Sequence, residues 1–345
     1  MTSPTSTAPA WLSLPTPPTA ELHLHIEGTI EADLLVAAAK RNGVELPSYD
    51  PAVLTERYEH FADLQAFLDV HYANLAVLRT EQDFYELASG YLTRAAAAGV
   101  RRVEAFFDPQ THVNHGVPLG EVIGGLSAAF SKAEETHGIS AVLLLSFLRD
   151  LGAQAAEEIF RAAMPYREHF VGVALDSTEV GYPPSLFEKV YGMAASEGLH
   201  RVAHAGEEGG PDYVVEALDL LGVERVDHGN RALEDDDLVR RLAEDGTPLT
   251  VCPLSNVYLK GVPSMAEHPL PRMLEAGLTV TINSDDPAYF GGYVDANYAA
   301  VAAQFELSRD GLAQLAANSF EATFSTPEQR TQWLGEVEVW RVAAS

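Results

Sequence analysis

The sequence predicts an α/β fold, a (β/α)8 TIM-type barrel with extra helices inserted after strand 1. Three observations carry that reading. Eight short apolar, β-branched segments recur along the 345 residues. Stretches with helical periodicity lie between them, the alternation of a parallel sheet. Polar residues capable of chemistry collect at the C-terminal ends of the segments, where barrels of this kind place their catalytic groups. A chain of this length can form one such barrel, although two domains of ordinary size would also fit.

The first twenty residues, MTSPTSTAPAWLSLPTPPTA, are rich in Pro, Thr and Ser and carry no Lys or Arg. They lack the long apolar centre of a secretory signal and read as a flexible N-terminal arm, with a single barrel domain over residues 21–345. Strand one is ELHLHI from Glu21. Its period of two turns His23 and His25 to one face and Leu22, Leu24 and Ile26 to the other. The interval to strand two is far longer than ordinary connections. It contains FADLQAFLDVHYANLAVL and DFYELASGYLTRAAAAG, both helical by period, expected near the barrel mouth as a lid or a packing insertion. The remaining strands are VRRVEAFFD from Val100, ISAVLLLSF from Ile139, FVGVALD from Phe170, HRVAHA from His200, RVDH from Arg225, PLTVCP from Pro248 and LTVTINS from Leu278. PDYVVEALDLLG reads as a helix opening at Pro211 and closing at Gly222. The tail from Leu307 reads as helices completing the wall.

Composition excludes several classes. The formal net charge of -28, from 50 acidic and 22 basic residues, repels a phosphate backbone and argues against nucleic acid. The longest apolar runs are too short to span a bilayer, which takes about 20 residues, so no membrane role is expected. With one cysteine no intrachain disulfide can form, which fits a cytoplasmic protein. Cys252 lies in an apolar run and reads as a buried small thiol without chemistry.

The strand ends hold His23, His25 and Glu27 at strand one, His204, Glu207 and Glu208 at strand five, Asp227 and His228 at strand six, and Asp285 and Asp286 at strand eight. An isolated HxH is weak evidence, and a double Asp before Pro is also a turn signal. Together, His23, His25, His204 and Asp285 make an N3O set that suits one zinc ion per chain better than magnesium or calcium. In a regular strand Asp285 and Asp286 cannot both face the metal, so one carboxylate has another task. Zinc brings the pKa of bound water towards about 7, which makes hydrolysis accessible. Glu207 and His228 are the candidate acid and base. His60, His71, His137, His169 and His268, with His112 and His115, are expected on the surface.

The motifs LHLHIEG, HAGEE, VDHGNR, CPLSN and NSDDPAYFGGY, in this order over nearly the whole chain after the arm, resemble those of the adenosine and adenine deaminase group of the amidohydrolase superfamily. The resemblance implies a mononuclear zinc barrel in which hydroxide adds to C6 of a purine and ammonia leaves. It makes His23, His25, His204 and Asp285 the zinc ligands. Glu207 would share its proton with purine N1, His228 would orient or deprotonate the water, and Asp286 would hydrogen-bond N7. Glu27 stands where nucleoside-acting members usually have Asp. With FFDPQTH, DSTEVG and DDPAYFGGY it resembles the free-base adenine branch, so Glu27 is expected beside the bound base. Adenosine, an N6-substituted adenine and a larger adenine-bearing metabolite stay open as substrates, as does a homo-oligomer.

Overall fold

The structure is a computed structural model describing residues 16–58 and 61–343. Most of the expected arm, and His60, lie outside the described residues. Eight parallel strands pair in the order β1-β2-β3-β4-β5-β6-β7-β8. They are β1 (Thr19–Glu21), β2 (Val100–Phe107), β3 (Ser140–Leu148), β4 (Phe170–Asp176), β5 (His200–Ala205), β6 (Arg225–His228), β7 (Leu249–Val251) and β8 (Val280–Ile282). Seven of the eight expected segments cover their strands to within a residue, and the first, ELHLHI, contributes only Glu21 to β1. The first begins earlier and ends sooner than its alternation suggested: Thr19 and Ala20, read as the end of the arm, are buried in β1.

The ladder breaks after Glu21 because the side-chain oxygen of Asn283 takes the N–H of Leu22 at 2.9 Å. Pairing resumes as isolated bridges, Leu24 with Asp285 and His25 with Phe106. The first of these closes the barrel. His25 donates its backbone N–H to the carbonyl of Asp285 at 3.0 Å, and Asp285 donates to that of His23 at 3.1 Å. HxH therefore keeps the strand's alternation without lying inside a regular strand.

Alternate residues point inward. Phe106, Leu144, Ala174 and Val202 form a small apolar cluster of their own in the barrel. Two residues further along the chain from Ala174 and Val202 stand Asp176 and His204, on the same inward face by the period of two. The opposite faces of the strands pack on the surrounding helices in the main core. Phe106 thus floors the polar end of the barrel, with its ring centroid 5.3 Å from that of His23 and 5.0 Å from that of His25.

The insertion between β1 and β2 contains helices over Ala32–Asn42, Pro51–Glu56, Leu64–Leu75 and Glu81–Ala97. Asp63 caps the third by accepting the N–H of Ala66, and Thr80 with Asp83 forms a capping box on the fourth. Pro211 opens a helix over Pro211–Glu216 that widens to π geometry over Ala217–Leu221 and stops at left-handed Gly222.

Candidate active site

Four side chains from three strand ends converge at the barrel mouth. His23, His25, His204 and Asp285 are all buried, with one ligand atom of each within 4.8 Å of the others. The Nε2 atoms of His25 and His204 stand 3.2 Å apart, and Asp285 Oδ1 is 3.5 Å from Nε2 of both His23 and His25. Donor atoms around a tetrahedral zinc, with bonds of about 2.0–2.2 Å, are spaced roughly 3.3–3.6 Å. The set fits a metal ion. The buried Nε2 of His23 has no hydrogen-bond partner among the described residues.

The far side of each imidazole faces oxygen, the arrangement that aims the other nitrogen's lone pair at a metal. His23 Nδ1 donates to the carbonyl of Thr250 at 3.1 Å, His25 Nδ1 lies 3.5 Å from Asp176, and His204 Nδ1 lies 3.6 Å from Asp227. The hydroxyl of Thr250 donates to Asp227 at 2.8 Å, which fixes that carboxylate in turn.

Asp285 and Asp286 diverge because the backbone leaves the strand conformation: Asp285 has φ of 64°, as His228 has 63°. Left-handed backbone at a residue other than glycine is costly and gathers at functional sites. Asp286 turns towards the helix Leu64–Leu75, with Oδ1 3.9 Å from His71 Nδ1. Gly28 makes room for it, since a Cβ there would stand 2.0 Å from Asp286 Oδ1.

Glu207 and His228 sit beside the cluster, with Oε2 and Nε2 3.5 Å apart, and His228 Nε2 is 3.9 Å from Asp285 Oδ2. Burial pushes the Glu207 carboxyl well up, and the charges of Asp285 and Glu179 add to it. Burial, reinforced by His23, holds the His228 imidazole down to about 3. A carboxyl pushed towards its protonated form therefore faces an imidazole pushed towards its neutral form. The same cause, with Asp285 second, pushes the Asp286 carboxyl well up. The thiol of Cys252 is buried and pushed well up too, which keeps it a neutral thiol.

Three histidines expected on the surface are buried here. His268 accepts the backbone N–H of Leu270 at Nδ1 (3.1 Å), so its Nε2 carries the hydrogen and donates to Asn256 Oδ1, also at 3.1 Å. Asn256 Nδ2 then donates to His228 Nδ1 at 3.3 Å. This chain places the hydrogen of His228 on Nε2, towards Glu207 and Asp285. His71 lines the cavity, and His112 reaches Glu27 at 3.0 Å. His71 and His112 lie on helix faces that pack inward and His268 in the extended link between a 3-10 turn and the next helix, positions that nothing in the sequence marks as buried. His169 is exposed and His115 and His137 are partly exposed.

Glu27 does not line the cavity. It is wholly buried behind the wall, where Oε1 accepts the N–H of Asp108 and meets His112, while Oε2 has no partner among the described residues. The carboxyls that do line the cavity on that side are Asp108 and Asp176. Burial, with Glu27 adding, pushes Asp108 up to about 8. The space over the cluster is about 420 Å³, part of it open to solvent. Leu64, Phe67, Leu68, His71 and Tyr72 of one inserted helix roof it.

The family of adenosine deaminases, "Adenosine deaminase", matches residues 18–340. This chain belongs to the adenosine deaminase family. Among its relatives in that family, the adenine deaminase of Streptomyces coelicolor is 56% identical over 330 residues, spanning 95% of this chain and 97% of the relative. The crystal structure of an adenine deaminase from Arthrobacter aurescens superposes with a TM-score of 0.93 at 51% identity, covering 95% of this chain and 100% of that one. A zinc-bound amidohydrolase from Burkholderia ambifaria gives a TM-score of 0.88 at 28% identity over 98% and 96% of the two chains.

Proposed function

We propose that this member of the adenosine deaminase family hydrolyses adenine to hypoxanthine and ammonia, with one zinc ion per chain held by His23, His25, His204 and Asp285. The observation that carries the reading is the convergence of those four groups, with the Nε2 of His25 and His204 3.2 Å apart, beside a carboxyl that burial pushes up. Zinc, when bound, acidifies water and makes hydrolysis accessible at neutral pH.

The chain's own residues do the rest. Glu207 holds a proton at the cavity wall and gives it to purine N1, which draws electrons from C6. His228, whose Nε2 carries its hydrogen, orients the attacking water by donation; of that water's two protons, one leaves with the amino group as ammonia and the other returns to the Glu207 carboxylate. Asp286 donates its carboxyl proton to N7, an acceptor. The helix Leu64–Leu75 excludes bulk water from the base. Glu27 shapes the base site from behind, by fixing the N–H of Asp108, so that Asp108 and Asp176 present oxygens to the imidazole N–H of a free base. N9-ribosylation would delete that donor, and sites built around such a bond reject analogues lacking it by about 10⁴–10⁵-fold.

Ammonia release from adenine, adenosine and N6-methyladenine, measured with the metal content of the same preparation, tests this. The expected result is about one zinc per chain and kcat/KM for adenine far above that for adenosine. Equal or greater activity on adenosine would overturn the free-base reading, and full activity without metal would overturn the chemistry.

A further inference from the structure

The loop that carries Glu207 is held by a carboxylate from another strand end. Glu179, 1% exposed, lies just beyond β4 and accepts four consecutive backbone N–H groups from the chain beyond β5. Gly206 donates to Oε1 at 2.8 Å; Glu207, Glu208 and Gly209 donate to Oε2 at 3.1, 2.7 and 2.8 Å. We propose that Glu179 is a positioning residue for catalysis, its carboxylate setting the loop conformation that aims Glu207 into the cavity. The inference rests on Glu207 being the acid, as argued above.

Charge makes this arrangement strong. Four N–H dipoles converge on one anion, and charge-assisted bonds of this kind are about twice as strong as neutral ones. The glycines on either side are what let the chain wrap so closely. Gly206 has φ of 73°, and a Cβ on Gly209 would stand 2.8 Å from Glu179 Oε1 and 2.7 Å from the ring of Tyr213. The other side of the loop is fastened independently: Arg149 donates from Nη1 to the carbonyl of His204 at 2.9 Å, and the backbone N–H of Arg231 donates to that of Gly206 at 2.9 Å. The loop therefore keeps its place on the barrel when Glu179 changes, and what changes is the direction in which Glu207 points. A shift of about 1 Å at a reacting group can cost on the order of 10²-fold in rate.

Glu179→Gln keeps the shape and replaces one accepting oxygen with an N–H group that the loop cannot satisfy. The expected result is a kcat for adenine lower by about 10–100-fold, with KM and zinc content near those of the wild type. Glu207→Gln alone comes first: normal turnover in that variant would refute Glu207 as the acid, a separate failure from that of the cradle. If Glu207→Gln is slow, its residual rate is read in single turnover with enzyme in excess, with and without Glu179→Gln. Two contacts acting through one residue are not additive, so the second substitution should then cost less than about 2-fold. The same fold-loss in both backgrounds, or a wild-type kcat in Glu179→Gln, would overturn the proposal. Should Glu179→Gln fail to fold, Gly209→Ala, which presses a methyl on the same carboxylate, is put through the same cycle with the same two readings.

Discussion

A single missing methyl decides where Asp286 can lie. Gly28 approaches Asp286 so closely that a Cβ would overlap Oδ1, while its own N–H and carbonyl are tied to His25 and Ala288. Gly28→Ala should therefore displace the Asp286 carboxyl and leave the ligand set intact: kcat/KM for adenine falls on the order of 10²-fold with zinc content unchanged, checked by steady-state kinetics and elemental analysis. His268 gives a second residue-scale expectation. Burial holds its imidazole down to about 4 from an ordinary 6.5. Its folded-state pKa is lowered, so the protein is unaffected by this group above pH 6.5. As pH falls towards 4, the unfolded chain takes up a proton that the folded chain refuses, and stability is lost. Each pH unit in that window is worth about 1.4 kcal/mol. Between pH 6.5 and 5 the wild type should lose roughly 2 kcal/mol relative to His268→Gln, measured as the difference in urea unfolding free energy at the two pH values. An unchanged difference would mean that the buried His268 is protonated in the fold.

At the scale of elements, the period of two made the barrel legible in the sequence. FVGVALD, HRVAHA and RVDH coincide with their strands because each buries both faces at its C-terminal end, where Asp176, His204 and His228 line the mouth. The four metal-ligating candidates were legible for the same reason. What could not be read were contacts between elements distant in the chain: Thr250 and Asp227 behind the ligands, Asn256 and His268 behind His228, and His112 behind Glu27. No spacing announces these, since each partner is an ordinary polar residue until the barrel closes. The break after Glu21 belongs here too, because it depends on a side chain 261 residues away. The inserted helix Leu64–Leu75 is amphipathic in the sequence, but only the fold shows that its inner face roofs the cavity. Tyr72 ties that roof to the β4 end by donating its hydroxyl to Ser177 at 3.0 Å, and Gln65 accepts from Thr178 at 3.1 Å. A hydrogen bond of this sort is worth about 1 kcal/mol. Tyr72→Phe should thus loosen the closed state and raise KM for adenine about 5-fold with a smaller change in kcat. An unaltered KM would show that the roof closes without the tether.

For the whole molecule, the barrel closes at its weakest place. β1 is three residues long and β8 is three residues long, and beyond them the seam is carried by the backbone bonds of His23 and His25 with Asp285 and by the side chain of Asn283. The same three residues, with His204 on β5, are the proposed zinc ligands, so one ion would staple β1, β5 and β8 together where main-chain pairing is sparse. Metal that binds only the folded chain stabilises it by mass action, about 4 kcal/mol when present at roughly 1,000 times its dissociation constant. Removing it with a chelator should lower the unfolding temperature. The loss should also be local, because β2 to β4 pair over longer registers that do not include a ligand. Amide exchange should accelerate first at His25 and Asp285 and last at Leu145 and Val173, as subglobal opening begins where protection is least. Exchange that rises uniformly around the barrel on metal removal would show that the ion contributes to global stability without fastening this seam.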